Sequence, residues 1–375
     1  MHKNAWWAWF PVAMGLATGV FAQNTTSSDQ NAEGRTVLQL RTFLYGDNTE
    51  FLADPYREGA TLLGGQLRLN ARFRVSDCAR FFLGLETNSF AGDDKAFRKI
   101  WPVISLEVDG PAGTLVMGTL RSGQLGREAS EGLWPDESGP HGLAPPLQLD
   151  TLSMSRPYEA GLQWLGAGAR WKNDVWVAWQ QLNTPAHRER LDTGTNVRFT
   201  LAGTTRRLVA LGQSHIVHEG GQLYSVGAVG DSIAGGSGVA FETDFMGGGA
   251  RAQVLQLFSK HNPDRADHLR PDRINGSGSL MELNYERKDW RAAYLNWHRG
   301  RNFIKWEGDP NYGALASDGT IHSSRSYDEA SLSRRFMLTR DAYLVSSVRL
   351  YRIDGSWDYS YRIAAALNLS HPLGR

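Results

Sequence analysis

Residues 66–75 carry the pattern that most limits the fold of this chain. In this stretch Leu67, Leu69, Ala71, Phe73 and Val75 alternate with Gln66, Arg68, Asn70, Arg72 and Arg74. A period of two predicts a β-strand whose two faces meet different surroundings. The apolar face packs in a core if the chain is a soluble sandwich. It faces lipid, with the arginines lining water, if the chain is a membrane barrel.

Similar segments recur along the chain and pair through short turns. Residues 80–88 follow residues 66–75 after a turn at Ser76 and Asp77, and the same hairpin pattern continues toward the carboxyl end. The predicted strands are 36–45, 66–75, 80–88, 100–108, 114–120, 160–171, 175–183, 197–202, 208–217, 222–243, 250–259, 280–287, 291–298, 324–338, 342–351 and 357–369. Because the number of predicted strands is even, the first strand begins and the last strand ends on the same side of the sheet.

The connections between these segments alternate between short and long. The longest covers residues 121–158 and follows the fifth strand. Short turns on one side and long loops on the other are typical of outer-membrane barrels. The sequence therefore predicts an all-β fold, a transmembrane antiparallel up-and-down β-barrel of about sixteen strands with a long third outer loop. A soluble periplasmic β-protein stays open as an alternative.

The amino-terminal residues predict export. Lys3 precedes a largely apolar, Trp-rich stretch, and small residues end it near Ala22, which is typical of a secretory signal peptide. We expect residues 1–22 to be this signal, residues 23–34 to be a disordered leader and residues 35–375 to form a single barrel domain. The predicted location is the outer membrane of a Gram-negative bacterium.

The charge balance and the cysteine content exclude several classes of protein. The chain has 40 Lys and Arg and 39 Asp and Glu, and removal of Lys3 with the signal leaves 39 of each. A formally neutral chain is not typical of a nucleic-acid-binding protein, so no nucleic-acid partner is expected. The single cysteine, Cys78, cannot form an intramolecular disulfide.

These features together resemble the bacterial general porins. The resemblance rests on the signal peptide, the sixteen alternating segments and the very long connection after the fifth of them. It implies that residues 121–158 fold into the lumen as a constriction, that outer-membrane lipid and small hydrophilic solutes are partners, and that the protein forms a homotrimer. The chain departs from the pattern at its end, where residues 371–375 do not finish on an aromatic residue.

Two sets of charged residues are candidates for a pore. The predicted basic wall consists of Arg68, Arg72, Arg74 and Arg80. The predicted constriction loop carries Glu128, Glu131, Asp136 and Glu137. Opposed charges across a narrow lumen create a field that filters solutes by size and dipole. The alternative is that the acids are solvated on an exposed loop and that the arginines pair with glutamates of adjacent strands.

Catalytic patterns are weak. His215, His218 and Glu219 lack the spacing of a zinc protease, and Ser214 and His215 are adjacent on a strand and so point to opposite faces. We therefore expect no metal, no cofactor and no enzymatic activity.

The sequence thus favours a channel for passive diffusion of small hydrophilic solutes. The alternative is a non-conducting structural or adhesive surface barrel, whose lumen is plugged by residues 121–158.

Overall fold

The computed structural model describes residues 36–51, 59–93, 99–126, 139–265, 273–316 and 319–373. They form one closed antiparallel barrel of sixteen strands, in which each strand pairs with its sequence neighbours and β1 pairs with β16. The strands are β1 Thr36–Thr49, β2 Ala60–Ser76, β3 Ala79–Phe90, β4 Lys99–Gly110, β5 Gly113–Thr119, β6 Ala160–Ala167, β7 Trp171–Gln181, β8 Glu189–Ala202, β9 Arg207–Gly220, β10 Gly230–Phe245, β11 Gly248–Asn262, β12 Ile274–Arg287, β13 Trp290–Arg301, β14 Arg325–Thr339, β15 Ala342–Ile353 and β16 Ser356–Leu373.

The two faces of the strands meet different surroundings, as β2 shows. Leu67 and Leu69 are exposed on the outside of the barrel, whereas Gln66, Arg68 and Asn70 are buried on the lumen side. This alternation repeats around the wall because successive side chains of a strand point to opposite faces. The predicted fold class is confirmed.

The two ends of the barrel differ. Most connections at one end, the turn side, are hairpins of a few residues, such as those between β2 and β3 and between β12 and β13. The other end, the loop side, carries the long connections. We call residues 120–159 the third loop, residues 221–229 the fifth loop and residues 302–324 the seventh loop. In outer-membrane barrels the long loops face the cell exterior.

Helical structure in the described residues is confined to these loops. The third loop contains the short helices Gly123–Gly126 and Leu152–Ser155, and the seventh loop contains the 3-10 helix Pro310–Tyr312. None of the helices that the model describes is long and apolar enough to span a bilayer.

Several predicted strand boundaries were wrong. The turn expected at residues 172–174 lies at residues 168–170, the strand expected to start at residue 197 begins at Glu189, and the strand expected to start at residue 222 begins at Gly230. In the first case Trp171 lies over Gly166 and Gly168, where a Cβ would collide with its ring. The glycines therefore place the hairpin before Trp171.

Some sequence predictions lie outside the described residues. They are the signal peptide at 1–22, the leader at 23–34, and the four acids of the constriction loop, Glu128, Glu131, Asp136 and Glu137. These stay predictions.

Candidate functional site

The lumen is filled at the loop side by apolar side chains. Leu143 and Leu147 of the third loop and Phe303 and Tyr312 of the seventh loop are each 1% exposed or less. They belong to one buried cluster with inward-facing wall residues, among them Leu255, Leu257, Leu280 and Trp297. We call this cluster the plug. The described part of the third loop therefore lies inside the barrel.

A buried histidine holds the third loop to the wall. His141 Nδ1 lies 2.8 Å from Asp174 Oδ2, and its Nε2 lies 2.7 Å from Glu159 Oε2. Burial by itself would lower the pKa of His141, but these two carboxylates raise it to about 10. The imidazolium is thus an anchor with both ring nitrogens occupied, and it has no nitrogen left for acid-base chemistry.

A second charged cluster joins the third and seventh loops to β8 and β9. Asp192, His215 and Glu307 place possible metal-donor atoms within 4.8 Å of one another. Glu307 is already bound by both Nη atoms of Arg156, at 2.5 and 2.8 Å, and His215 uses both ring nitrogens on Asp192 and on the Leu147 carbonyl. Guanidinium groups and a protein carbonyl occupy the positions that a cation would need, so the residues do not fit a metal.

Lys305 adds an ammonium group to the same junction. It is 9% exposed, and its Nζ donates to the Trp306 carbonyl at 2.6 Å. Burial lowers the pKa of Lys305 to about 7. The seventh loop therefore carries a lysine that is partly neutral near physiological pH.

The predicted basic wall lies on the lumen side. Arg68 pairs with Glu86 at 2.5 Å, and Arg80 lies 3.3 Å from Glu107 and 2.8 Å from Asp109. Arg74 pairs with Asp77 at the turn, at 2.7 Å, and Arg72 is on the same face of β2. Arg68 and Arg80 thus meet carboxylates of neighbouring strands. How these arginines affect solutes stays a prediction.

A different pair of titratable residues lies on the outside of the barrel. His218 of β9 and Asp231 of β10 are direct cross-strand partners. Both lie on the face opposite the lumen, because the adjacent Val217 and Ser232 are buried inside. His218 Nδ1 lies 2.7 Å from Asp231 Oδ1. We call these two residues the dyad.

The geometry of the dyad orients the imidazole. If Nδ1 donates its proton to Asp231, the neutral ring carries its lone pair on Nε2, which can accept a proton. Nε2 lies over Gly220, where an added Cβ would be 2.4 Å away. Arg265 forms an ion pair with the same Asp231 carboxylate. A histidine held in this way by a carboxylate is suited to act as a general base.

The fifth loop beside the dyad is organised by one arginine. Arg188, 8% exposed, donates to the carbonyls of Gly221 at 2.9 Å, Tyr224 at 3.3 Å and Gly227 at 3.1 Å. The loop in turn exposes apolar side chains at the loop-side rim. Exposed large apolar residues in this region are Trp179, Leu182, Leu223, Tyr224 and Val226. The dyad thus lies next to a surface that can contact acyl chains.

The height of the dyad matches the outer edge of a membrane. His218 lies eleven residues beyond Arg207, the turn-side start of β9. At about 3.3 Å per residue and a strand tilt of about 40°, this distance is about 28 Å along the barrel axis. The apolar band of such barrels is about 25 Å tall. An apolar band that begins at the turn-side end of β9 would therefore end close to the dyad.

Comparison with protein families gives one match over nearly the whole chain. The model of the Lipid A 3'-O-deacylase-type family matches residues 27–375. The chain belongs to this family. No curated protein matches it. The expectation that the protein is not an enzyme is wrong, because this Lipid A 3'-O-deacylase-type family is named for a hydrolytic enzyme.

Solved structures similar to this deacylase-type barrel are outer-membrane proteins. OmpT of Vibrio cholerae in its trimer form is 10% identical, with a TM-score of 0.51 and coverage of 89% of this chain and 100% of that chain. The anion-selective porin from Comamonas acidovorans is 10% identical, with a TM-score of 0.50 and coverage of 89% and 98%. The resemblance to a porin-like outer-membrane barrel is confirmed at the level of the fold.

Sequence reasoning considered His218 only together with His215 and Glu219, as a metal or acid-base cluster, and missed its partner. His215 and His218 are separated by an odd number of positions, so the first faces the lumen and the second faces outward. Asp231 becomes a partner only through the β9–β10 register. The available signal was the position of His218, which is an even number of residues from the outward-facing Leu208 and therefore lies on the same face of the strand.

Proposed function

We propose that this protein hydrolyses an ester-linked acyl chain of lipid A at the outer leaflet of the outer membrane. The observation that carries the proposal is the outward-facing dyad, His218 Nδ1 2.7 Å from Asp231 Oδ1, at the height of the loop-side boundary. Membership of the Lipid A 3'-O-deacylase-type family supports the same chemistry.

The residues of the dyad fit a reaction in which water is the nucleophile. His218 Nε2 takes a proton from a water molecule, and the resulting hydroxide attacks the ester carbonyl. The tetrahedral intermediate expels the sugar oxygen, which receives the proton from His218. Asp231 holds the ring in the required tautomer and stabilises the transient imidazolium. The products are a free fatty acid and a sugar hydroxyl.

The test is mass spectrometry of lipid A after incubation with the purified, refolded barrel. The wild-type protein should remove one acyl chain. His218→Gln should lose this activity by a factor of about 10² or more, because general-base catalysis contributes about that much. His371→Gln, at the turn-side end of β16, is the matched control and should leave the rate unchanged. Full activity of His218→Gln would overturn the assignment of the base.

Passive diffusion of small hydrophilic solutes is the second candidate. Charged side chains on the lumen side, such as Arg68 and Arg80, and the porin-like fold favour it. The plug counts against it, because closely packed apolar side chains exclude water and ions. A barrel that does not conduct, the alternative that the sequence left open, agrees better with the plug.

Location and assembly form part of the same proposal. We place the barrel in the outer membrane after removal of residues 1–22, with lipid as its partner. A homotrimer, which the porin resemblance implies, would have to leave the outer wall of β9 and β10 open to lipid.

A further inference from the structure

The outer wall of β12, β13 and β14 carries polar side chains where a barrel normally faces hydrocarbon. Ser279 lies directly opposite His298, and Asn296 lies directly opposite Asp328. Tyr294 completes the group on the same face. The intervening residues Leu280, Trp297 and Tyr327 are buried on the lumen side, which fixes the outward direction of the polar residues. We call these five residues the polar wall patch.

The patch is internally organised around one carboxylate. Tyr294 Oη and Asn296 Nδ2 both donate to Asp328 Oδ1, each at 2.8 Å. At its other edge Ser279 Oγ donates to Gln256 Oε1 at 2.6 Å. Donors on β12 and β13 thus hold acceptors of β11 and β14 in a fixed arrangement on the outside of the barrel.

The height of the patch places it below the loop-side boundary of the membrane. Trp290, with the Arg334 guanidinium 4.9 Å from its ring centroid, marks the turn-side interface on β13. Asn296 and His298 lie six and eight residues beyond it on the same strand. These separations are about 15 and 20 Å along the axis, inside an apolar band about 25 Å tall.

The opposite wall shows what the bilayer ordinarily meets at this kind of position. There Leu83, Leu85 and Ile104 are 49%, 55% and 49% exposed. A carboxylate and an amide set against hydrocarbon lose their hydration, and this loss is costly unless a polar partner replaces it. Although Asp328 already accepts two hydrogen bonds within the patch, a partner that carries hydrogen-bonding groups just beneath the membrane surface solvates this carboxylate better than hydrocarbon does.

We infer that the polar wall patch binds the hydroxyl- and amide-bearing linkage region of an outer-leaflet glycolipid. This inference rests on the proposed function, and it identifies a second region of the barrel wall that contacts the same substrate. The Asp328 carboxylate accepts hydrogen bonds from hydroxyl and N–H groups and repels phosphate. We therefore expect the uncharged ester and amide linkages of the lipid, with their hydroxyl groups, to contact the patch. These linkages lie directly below the sugars, at the height of the patch.

Continuity with the dyad favours a lipid over a second copy of the chain. The outward faces of β11 and β12 between the dyad and the patch carry Lys260, Asn275 and Ser277, and the exposed Phe258 lies opposite Ser277, so a largely polar surface joins the two. Three strand spacings of about 4.8 Å separate β9 from β12, or about 14 Å. A second copy seated on the patch would obstruct a bulky lipid at the dyad.

The test measures retention of purified lipid A by the refolded barrel in detergent micelles, using native mass spectrometry. The double variant Asp328→Leu, Asn296→Leu should bind lipid A about tenfold more weakly, because it loses hydrogen bonds to a charged group. Ser346→Leu makes the same polar-to-apolar change on the outward face of β15 and should bind as the wild type does. Equal retention by the wild-type protein and the double variant would overturn the inference.

Kinetics and cross-linking separate the remaining outcomes. With a functional dyad, the double variant should raise KM for lipid A and leave kcat unchanged, whereas His218→Gln should lose cleavage and keep retention. If the wild type retains lipid A through the patch without cleaving it, the proposed function fails and the patch stands. If chemical cross-linking in vesicles instead shows a dimer that the double variant abolishes, the patch is a self-association surface and the inference is wrong.

Discussion

His141 stacks face to face on Trp176, with ring centroids 3.7 Å apart and planes inclined by 3°. The first residue belongs to the third loop and the second to β7, so the contact fixes the loop to the wall. Together with the carboxylates of Asp174 and Glu159, the stacking explains why the described part of the third loop lies inside the barrel. The protonated imidazole of His141 thereby contributes to the attachment of the third loop, beside contacts such as the ion pair of Asp150 with Arg349.

The attachment of the third loop should weaken at alkaline pH. Because folding raises the pKa of His141 from about 6.5 to about 10, its stabilising contribution is complete below pH 6.5 and is lost as pH rises through 10. The protection factors of the amides in residues 139–149, which correct for the intrinsic rise of exchange with pH, should fall over this range. His141→Gln should remove this pH dependence of the protection factors, and protection factors that stay constant in the wild-type protein would contradict the role of the imidazolium.

The seventh loop should respond to pH in the opposite direction. Burial lowers the pKa of Lys305 to about 7 from an unfolded value of about 10.5, so the unfolded chain binds the extra proton between these values. The stability of the loop therefore rises as pH increases from 7 to 10.5. The protection factors of the amides in residues 303–312 should rise over this interval. Lys305→Met should abolish this rise, and wild-type protection factors that fall with rising pH would refute this assignment.

Gly220→Ala should disable the dyad without unfolding the barrel. The new Cβ would lie 2.4 Å from His218 Nε2, so the imidazole must move away from its position beside Asp231. We expect loss of lipid A deacylation with an unchanged melting temperature. Gly212→Ala is the matched control, because Gly212 lies on the same strand and face and an added Cβ there meets no atom within 4 Å. Equal activity of both variants would argue against the dyad.

The plug should keep the wild-type barrel closed to ions. Leu147 is fully buried, and truncation to alanine should destabilise the packing by about 2–5 kcal/mol. Planar-bilayer recordings should show few or no openings for the wild-type protein and more frequent openings for Leu147→Ala. Leu83→Ala, on the outward face of β3, is the control and should behave as the wild type. Large steady steps from the wild-type barrel would restore the channel hypothesis.

Glu307→Gln should weaken the attachment of both the third and the seventh loop to the barrel wall. The carboxylate is bound by Arg156 at 2.5 Å and by Arg190 at 2.9 Å in a cluster that is largely buried. Removing its charge weakens the hydrogen bonds to both guanidinium groups, which keep only Asp192 and Glu219 as acidic partners, and this costs about 1.5–3 kcal/mol. Limited proteolysis of the third and seventh loops should become faster. Asp77→Asn, which breaks the exposed pair with Arg74, is the control and should change little.

The sequence was sufficient for the strands because their alternation is local information. Sixteen segments were predicted near their observed positions, and β2 has the two faces that its pattern indicates. The boundary at Trp171 failed because residues 172–174 look like a turn, whereas Asp174 in fact points into the lumen and binds His141. Long-range pairing of this kind leaves no trace in a local pattern.

The candidate site was harder to predict for the same reason. A histidine near a strand end reveals neither the face on which it lies nor its neighbour on the next strand. The register between β9 and β10 makes Asp231 the cross-strand partner of His218. The stagger of the strands around the closed barrel sets the height of both residues relative to lipid. The basic wall was visible from the alternation of the strands, but the carboxylates Glu86 and Glu107 that meet its arginines come from β3 and β4.

The filled loop-side lumen has a consequence for the cell that carries this protein. A large barrel with an open bore is a leak, and its abundance is limited by the harm that unselective entry does to the envelope. Here the strands' own connecting segments contribute leucine, phenylalanine and tyrosine to the bore. A barrel that is closed in this way can be present in many copies without weakening the envelope as a barrier.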